Sequence, residues 1–159
     1  MAIIQNNLSR QEGELARVNQ ANQIEAFASS ETADVPYGRV MVYDPNNSGS
    51  VRLPTASADV PAGTSLRTVR QGDVNGVSVI SLNTNATLLR KGYQILKCVN
   101  GTPVPGQPVF YRYANPTALR PLGSIETAAI AGQVQQLMDS EFNSTADTDN
   151  LVEVRLDIR

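Results

Sequence analysis

Two apolar runs near the middle of the chain form its clearest strand pattern. They cover Tyr93–Val99 and Val109–Tyr113, and a nine-residue connector with three prolines and two glycines separates them. Apolar runs of this length, bounded by glycine and proline, are typical of β-strands joined by a stiff turn. We therefore predict an antiparallel hairpin over Lys91–Tyr113, with a bend or turn at Lys91–Gly92 before the first of its two strands.

Further strands are predicted on both sides of this hairpin. The segment Val35–Asp44 is rich in β-branched and aromatic residues and ends in the turn sequence DPNNSG. In the final segment apolar and charged residues alternate strictly, with the apolar set at Val152, Val154, Leu156 and Ile158. Short strands are also predicted at Ser50–Leu53, Thr64–Arg70 and Val77–Leu82. Short strands with irregular connections predict an all-β fold, either a barrel or a jelly-roll-like sandwich.

The segment from Ile125 to Asp139 is compatible with two structures. Its apolar residues Ile130, Val134, Leu137 and Met138 have helical spacing, and its Gln, Glu and Ala content favours a helix. A glycine at position 132 interrupts that pattern, so helix and strand both remain open. The predicted fold therefore allows one short helix near residues 125–138.

The first thirty residues differ from the rest of the chain. They are rich in Gln and Asn, lack proline, and carry thinly spaced apolar residues, among them Ile3, Ile4, Leu8 and Leu15. We interpret residues 1–30 as an extended or partly helical arm, and residues 31–159 as the β-barrel domain. An arm that cannot bury its apolar residues against itself is expected to lie on its own barrel or on a neighbouring subunit.

The composition argues against catalysis, metal binding and nucleic-acid binding. The net charge is −2, and the basic residues form no cluster that would follow a phosphate backbone. The chain has no histidine, and its lysines, Lys91 and Lys97, lie in no Ser-x-x-Lys pattern that would activate a nucleophile. We expect the single cysteine, Cys98, to be a buried and inert thiol. No catalytic residue, metal ion, cofactor or nucleic-acid partner is expected.

Membrane and secretion signals are also not found in the sequence. No segment has the length and apolar character of a membrane span, and the first residues lack the pattern of a signal peptide. The sequence therefore predicts a protein that does not bind membranes and that is made and folded in a cytoplasm. The acidic stretch Ala146–Asn150 lacks most of a calcium-binding loop, and we predict a solvated turn there.

Tyrosine and arginine residues are the best candidates for function. Both residue types are enriched at the centres of protein interfaces, because they combine large contact area with directed hydrogen bonds. Six of them lie on or beside predicted strands: Tyr37, Arg39, Tyr43, Tyr111, Arg112 and Tyr113. We predict that part of this set lies in a subunit interface. The alternative is that the tyrosines lie in the core or at the rim of the barrel.

The order of the motifs resembles that of the capsid cement, or decoration, proteins of tailed bacteriophages. These have a Gly-x-x-Ala motif, a Pro-aromatic-Gly segment, a Gly-led strand, a Gly-x-Pro-Val connector and an apolar terminal strand. The corresponding segments here are EGELARV (Glu12–Val18), VPYGRVMVYD (Val35–Asp44), KGYQILKCV (Lys91–Val99), VPGQPVFYR (Val104–Arg112) and NLVEVRL (Asn150–Leu156).

This resemblance implies a specific role. It implies a barrel or jelly-roll-like protein of the virion that assembles, usually as a homotrimer, on the outside of the mature capsid, bridging major capsid subunits. The N-terminal arm would then form the bridge. The alternative from another class is a carbohydrate- or receptor-binding β-sandwich, such as a head-fibre module. Such modules usually expose aromatic residues on loops, whereas this chain has no Trp and most of its tyrosines lie on or beside predicted strands. An enzyme of the cupin type is disfavoured because its metal site requires histidines.

Overall fold

A computed structural model describes residues 12–17, 22–67, 79–81 and 84–159 of the protein. These residues form eleven strands and no helix, which confirms the predicted all-β fold. No helix in the described ranges is long and apolar enough to cross a membrane. The strands are β1 Gln23–Ser29, β2 Val35–Pro36, β3 Val40–Tyr43, β4 Ser50–Arg52, β5 Pro61–Ser65, β6 Val79–Ile80, β7 Asn85–Asn100, β8 Pro108–Arg112, β9 Ile125–Glu126, β10 Val134–Phe142 and β11 Leu151–Asp157.

Nine of the strands form one sheet that closes on itself twice. The first ring, here called the first barrel, runs β1-β4-β3-β5-β7 and closes through pairing of β7 with β1. The second barrel runs β7-β11-β10-β8-β9 and closes through pairing of β9 with β7. The 16-residue strand β7 is therefore common to both rings, and closure leaves neither ring with a free edge.

The apolar core has two clusters, one mainly in each barrel, and the cluster of the second barrel extends to Val40 and Leu89 of the first. The core of the first barrel contains Met41, Val51 and Leu88, and the small β2–β6 sheet adds Val35 and Ile80 to it. The core of the second barrel includes the four alternating apolar residues of the last strand, so their predicted burial is confirmed. Its members include Leu96, Val109, Tyr111, Ile125, Leu137, Phe142, Val152, Val154, Leu156 and Ile158.

The predicted hairpin over Lys91–Tyr113 is wrong, although both of its strands exist. Strand β9 lies between β7 and β8: it pairs parallel to β7, with Cys98 opposite Ile125, and antiparallel to β8, with Tyr111 opposite Ile125. Apolar alternation specifies a strand and its buried face, but not its neighbour. The proline-rich connector therefore spans the width of an inserted strand.

Of the bend or turn predicted at Lys91–Gly92, the structure has a bend and no turn, because β7 continues through these residues. Gln23 of β1 is opposite Lys91 and Ile24 is opposite Leu89, so Arg90 is an extra residue on β7. Two residues further on, Gly92 has a positive φ of 135°. The extra residue is a β-bulge, which bends a strand and increases its twist without ending it. The bulge lies where β7 passes from the first barrel to the second.

The short helix allowed near residues 125–138 is not formed, and the segment contains β9, a turn and β10 instead. Gly132 has a φ of 72° in that turn. The register of β10 shifts between Leu137 and Glu141, so its buried residues are unevenly spaced at Val134, Leu137, Ser140 and Phe142. Val134 and Leu137 are buried three residues apart, as they would be on one face of a helix, which accounts for part of the ambiguity. Met138, which completed the helical pattern in the sequence, is exposed.

The remaining strand predictions are confirmed in part. Strand β4 matches Ser50–Leu53, and β2 and β3 lie within Val35–Asp44. Strand β5 ends at Ser65 and overlaps only the beginning of the predicted Thr64–Arg70, whose last residues lie outside the described ranges. Of Val77–Leu82, residues 79–81 are described, and Val79–Ile80 form β6.

The part of the arm that the structure describes is extended and lies on the barrels. The amide of Gly13 donates to the carbonyl of Ile95, and that of Ala16 to the carbonyl of Tyr93. Residues 23–29 form β1, which pairs with β4 and β7. The boundary at residue 30 stays a prediction.

The turn between β3 and β4 depends on the carboxylate of Asp44. A hydrogen bond from the Ser30 hydroxyl, the side-chain amide of Asn47 and the backbone amide of Asn46 together lower its pKa from 3.8 to about 2. A carboxylate whose pKa is lower in the folded state stabilises the fold at pH values above its ordinary pKa. That stabilisation is lost as the pH falls towards the folded-state pKa.

Urea unfolding should show Asp44→Asn as less stable than wild type at neutral pH, with a difference in the free energy of unfolding that shrinks on acidification towards pH 2. A difference that is independent of pH would contradict this role of Asp44.

Candidate protein-binding surface

The structure distributes the predicted interface residues among three environments. Ile3, Ile4 and Leu8 lie outside the described residues. Leu15, Tyr43 and Tyr113 are partly exposed and pack against the cores from outside. The other four predicted residues have buried side chains: Tyr37, Arg39, Tyr111 and Arg112. Their participation in an interface stays a prediction.

Arg112 forms a buried ion pair that closes the second barrel. Its Nε donates to Oε1 of Glu126 at 2.6 Å, and both side chains are at most 2% exposed. Asn100 on β7 donates to the other carboxylate oxygen at 2.9 Å, so the carboxylate connects all three strands at the closure point. Arg112 Nη1 also donates to Oε1 of Gln133 at 2.9 Å. Because each charge is buried against the other, removing one would leave the other without compensation.

An apolar groove, here called the Val60–Met138 groove, lies between the loop that leads into β5 and the strands β10 and β11. Its volume is about 240 Å³. Val60 and Met138 remain 58% and 63% exposed, while Leu137 and Tyr111 form buried parts of its wall. Its other lining residues are Ser57, Asp59, Pro61, Gln135, Gln136, Asp139, Asp157, Ile158 and Arg159.

The groove has a fixed framework. Burial alone would raise the pKa of Asp59, but backbone amides of Thr55 and Ala56 and the guanidinium of Arg52 hold that pKa below its ordinary value. The hydroxyl of Tyr111 donates to the Asp59 carbonyl at 3.5 Å. Burial, with the nearby charges of Asp59 and Tyr113, raises the pKa of Tyr111 to about 12, so the phenol is neutral at physiological pH.

Sequence reasoning identified Tyr111 but missed Val60 and Met138. Met138 is exposed because it lies where the register of β10 shifts, which turns an apolar residue out of the core. Exposed large apolar residues grouped at one place often mark protein interaction sites. No local pattern reports the register shift, so the sequence alone carries no signal for this groove.

A second cleft, here called the Arg39 cleft, has a volume of about 440 Å³ and a charged lining. It contains Glu12, Arg39, Lys97 and Leu119, together with Cys98, Val99, Asn100, Gly101, Ala118, Pro121 and Asn150. Burial raises the pKa of Glu12, although the charges of Arg39 and Lys97 oppose that change. Burial also lowers the pKa of Arg39, which the charge of Glu12 opposes.

The described residues offer little reactive chemistry. Burial raises the pKa of the Cys98 thiol, which disfavours the nucleophilic thiolate. No three Cys, Asp or Glu side chains in the described ranges are grouped so that they could hold a metal ion. The described surface instead offers two places where a partner could make contact: the apolar Val60–Met138 groove and the charged Arg39 cleft.

Comparisons with known proteins find similarity to structural proteins of phage capsids. A family model described as structural cement protein, of phages, matches residues 4–157. No curated protein sequence matches the chain. In the solved structure of the capsid of Myoviridae Phage XM1, one chain superposes with a TM-score of 0.74 at 22% identity, over 98% of this chain and 94% of that chain. The likeness at this identity shows a common fold. Since the family model covers nearly the whole sequence, the chain belongs to the phage structural cement proteins, which stabilise the capsid.

Proposed function

We propose that this cement protein binds the outer surface of the mature capsid as a homotrimer and bridges neighbouring major capsid subunits. The observation that supports this most directly is the Val60–Met138 groove. It presents two exposed apolar side chains on a framework held by hydrogen bonds and strand pairing. Such a surface loses little conformational entropy on binding. More of the favourable free energy from burying its apolar side chains therefore remains as binding free energy.

Bridging stabilises a capsid by mass action. A ligand that binds only the assembled lattice lowers the free energy of that state, in the same way that a ligand stabilises a native protein. A homotrimer that contacts several subunits adds multivalency, because each further contact forms at high effective concentration. Weak individual contacts are then sufficient for stable attachment.

The predicted interface residues have different parts in this proposal. The partly exposed Leu15, Tyr43 and Tyr113 would contact a partner directly. Tyr43 packs against Phe27: the two rings are in an edge-to-face arrangement with their centroids 5.7 Å apart. The four buried residues would act by fixing the strands beneath the contact surface. The arm residues Ile3, Ile4 and Leu8 would bridge to a neighbour through strand addition or groove packing.

Capsid binding by groove variants tests the proposal. We expect the double substitution Val60→Asp/Met138→Asp to weaken binding to capsids of the cognate phage at least about tenfold. A tenfold loss corresponds to about 1.4 kcal/mol, which is less than the contribution of one hot-spot residue. Both side chains are exposed, so the fold should not be affected. Binding is measured by co-sedimentation with purified capsids, and the oligomeric state by analytical ultracentrifugation.

Val104→Asp is the matched control. Val104 is 49% exposed, lies on the connector between β7 and β8, and does not line the groove. This variant should bind capsids as the wild type does. If the groove double variant also binds as the wild type, the groove is not a contact surface. If the wild-type protein stays monomeric at high concentration and does not co-sediment with capsids, the proposed function is wrong.

A further inference from the structure

The Arg39 cleft and the Val60–Met138 groove lie at opposite ends of the second barrel. Along the β7–β11 ladder, Lys97 of the cleft is opposite Leu151, and Lys91 is opposite Asp157 of the groove. Six residues of strand separate these positions, which corresponds to roughly 20 Å. The cleft is therefore a second surface, and its chemistry differs from that of the groove.

Arg39 has unused hydrogen-bond donors in this cleft. The residue is 9% exposed, and its Nε and Nη1 atoms are buried without a hydrogen-bond partner. Oε1 of Glu12 lies 3.7 Å from Nη1, which makes an ion pair but is too long for a hydrogen bond. Buried guanidinium groups normally use their donors, so the positive charge of Arg39 is incompletely compensated within the protein.

Lys97 adds a second positive charge. Its side chain is exposed on β7 and forms no hydrogen bond or ion pair with the residues that the structure describes. Glu12 is the one acidic side chain in the lining, so two positive charges are present there against one negative charge. The cleft therefore has an excess of positive charge, which favours an anionic partner group.

An apolar contact is available beside these charges. Leu119 lines the cleft and is 82% exposed, in the loop between β8 and β9. One net positive charge next to an apolar side chain suits a single carboxylate on an aliphatic stem, as in Asp or Glu. A phosphate dianion would require more donors and more positive charge than the cleft contains.

We propose that the Arg39 cleft receives an Asp or Glu side chain of the major capsid protein, with Arg39 and Lys97 as its cationic partners and Leu119 as its apolar contact. This inference rests on the proposed function and specifies the chemistry of a second contact. The two contacts, at opposite ends of one barrel, would allow a single copy to touch two capsid subunits.

Carbodiimide cross-linking on assembled capsids tests the inference directly. The reagent joins an amine to a carboxylate only where the two are in contact, and the chain has just two lysines, Lys91 and Lys97. Mass spectrometry should find Lys97 joined to an Asp or Glu of the major capsid protein. Lys97→Arg keeps the charge but removes the reactive amine, so it should bind capsids as the wild type does and lose this cross-link. Lys97→Glu should weaken binding about tenfold and reduce its sensitivity to salt.

The outcomes separate this inference from the proposed function. If wild-type protein binds capsids while Lys97→Glu binds equally well and Lys97 forms no cross-link to the capsid protein, the inference is wrong and the proposed function stands. A cross-link from Lys97 only to another copy of this chain also overturns it, because the occupant would then be a sister subunit. If the wild-type protein does not bind capsids, both are wrong.

Discussion

Replacing Glu126 by alanine is expected to lower the free energy of unfolding by about 3–5 kcal/mol, because the charge of Arg112 would then be buried without compensation. The ion pair is 2.6 Å long and lies where β8, β9 and β7 meet. The substitution also removes the acceptor of the Asn100 amide. For a chain of this size the loss corresponds to a decrease of roughly 6–20 °C in the melting temperature. Urea and thermal unfolding followed by circular dichroism measure both quantities.

A double variant serves as the control for this prediction. Arg112→Met/Glu126→Leu replaces both charges with apolar side chains of similar volume, and such replacements of buried pairs are often neutral or stabilising. It should therefore be more stable than Glu126→Ala alone. A Glu126→Ala protein within about 1 kcal/mol of wild type would show that the pair does not hold the ring closed.

Replacing Gln94 by leucine is expected to lower the free energy of unfolding by about 2–4 kcal/mol, because three buried hydrogen bonds would be lost together. Nε2 of Gln94 donates to the carbonyls of Gly13 and Ser65 at 3.0 and 2.9 Å, and Oε1 accepts from the hydroxyl of Thr64. Gln94 thus joins the shared strand β7 to β5 and to the N-terminal segment. Amide hydrogen exchange should show the largest loss of protection at Gly13 and Ala16.

The corresponding control is Gln136→Leu. Gln136 lies on β10 with an exposed side chain, so this substitution makes the same chemical change outside the core. It should alter stability by less than about 0.5 kcal/mol. Equal effects of the two substitutions, or unchanged exchange at Gly13 in Gln94→Leu, would contradict the role of Gln94 as the connection between the barrels and the N-terminal segment.

The two predictions also bear on function. Arg112 was selected from the sequence as a candidate interface residue, and the structure shows its side chain buried in the ion pair where the second barrel closes. A capsid-binding defect in an Arg112 variant would therefore have to be separated from a loss of stability. The exposed Val60, Met138 and Lys97 are cleaner probes of binding, because they carry no buried polar contact among the described residues.

Several of the strands could be predicted from the sequence because their signal is local, whereas β1 and β10 could not. Strict alternation from Val152 to Ile158 specified β11 and its buried face, and the turn sequence after Tyr43 marked the end of β3. The absence of histidine and the order of short motifs pointed to a structural capsid protein before any contact was known. These properties depend on residue type and spacing, which the sequence contains directly.

Strand pairing and the contact surfaces were decided by the tertiary structure. The insertion of β9 between β7 and β8, the bulge at Arg90 and the register shift in β10 arise from pairing between residues far apart in the chain. The same long-range packing buries Tyr111 and Arg112 and leaves Met138 and Val60 exposed. A side chain's exposure depends on which strand covers it, and that depends on the closure of two rings. The sequence alone therefore determined the structural class and the strands with clear local alternation, such as β11. The closed sheet decided the remaining strands and which residues can meet a partner.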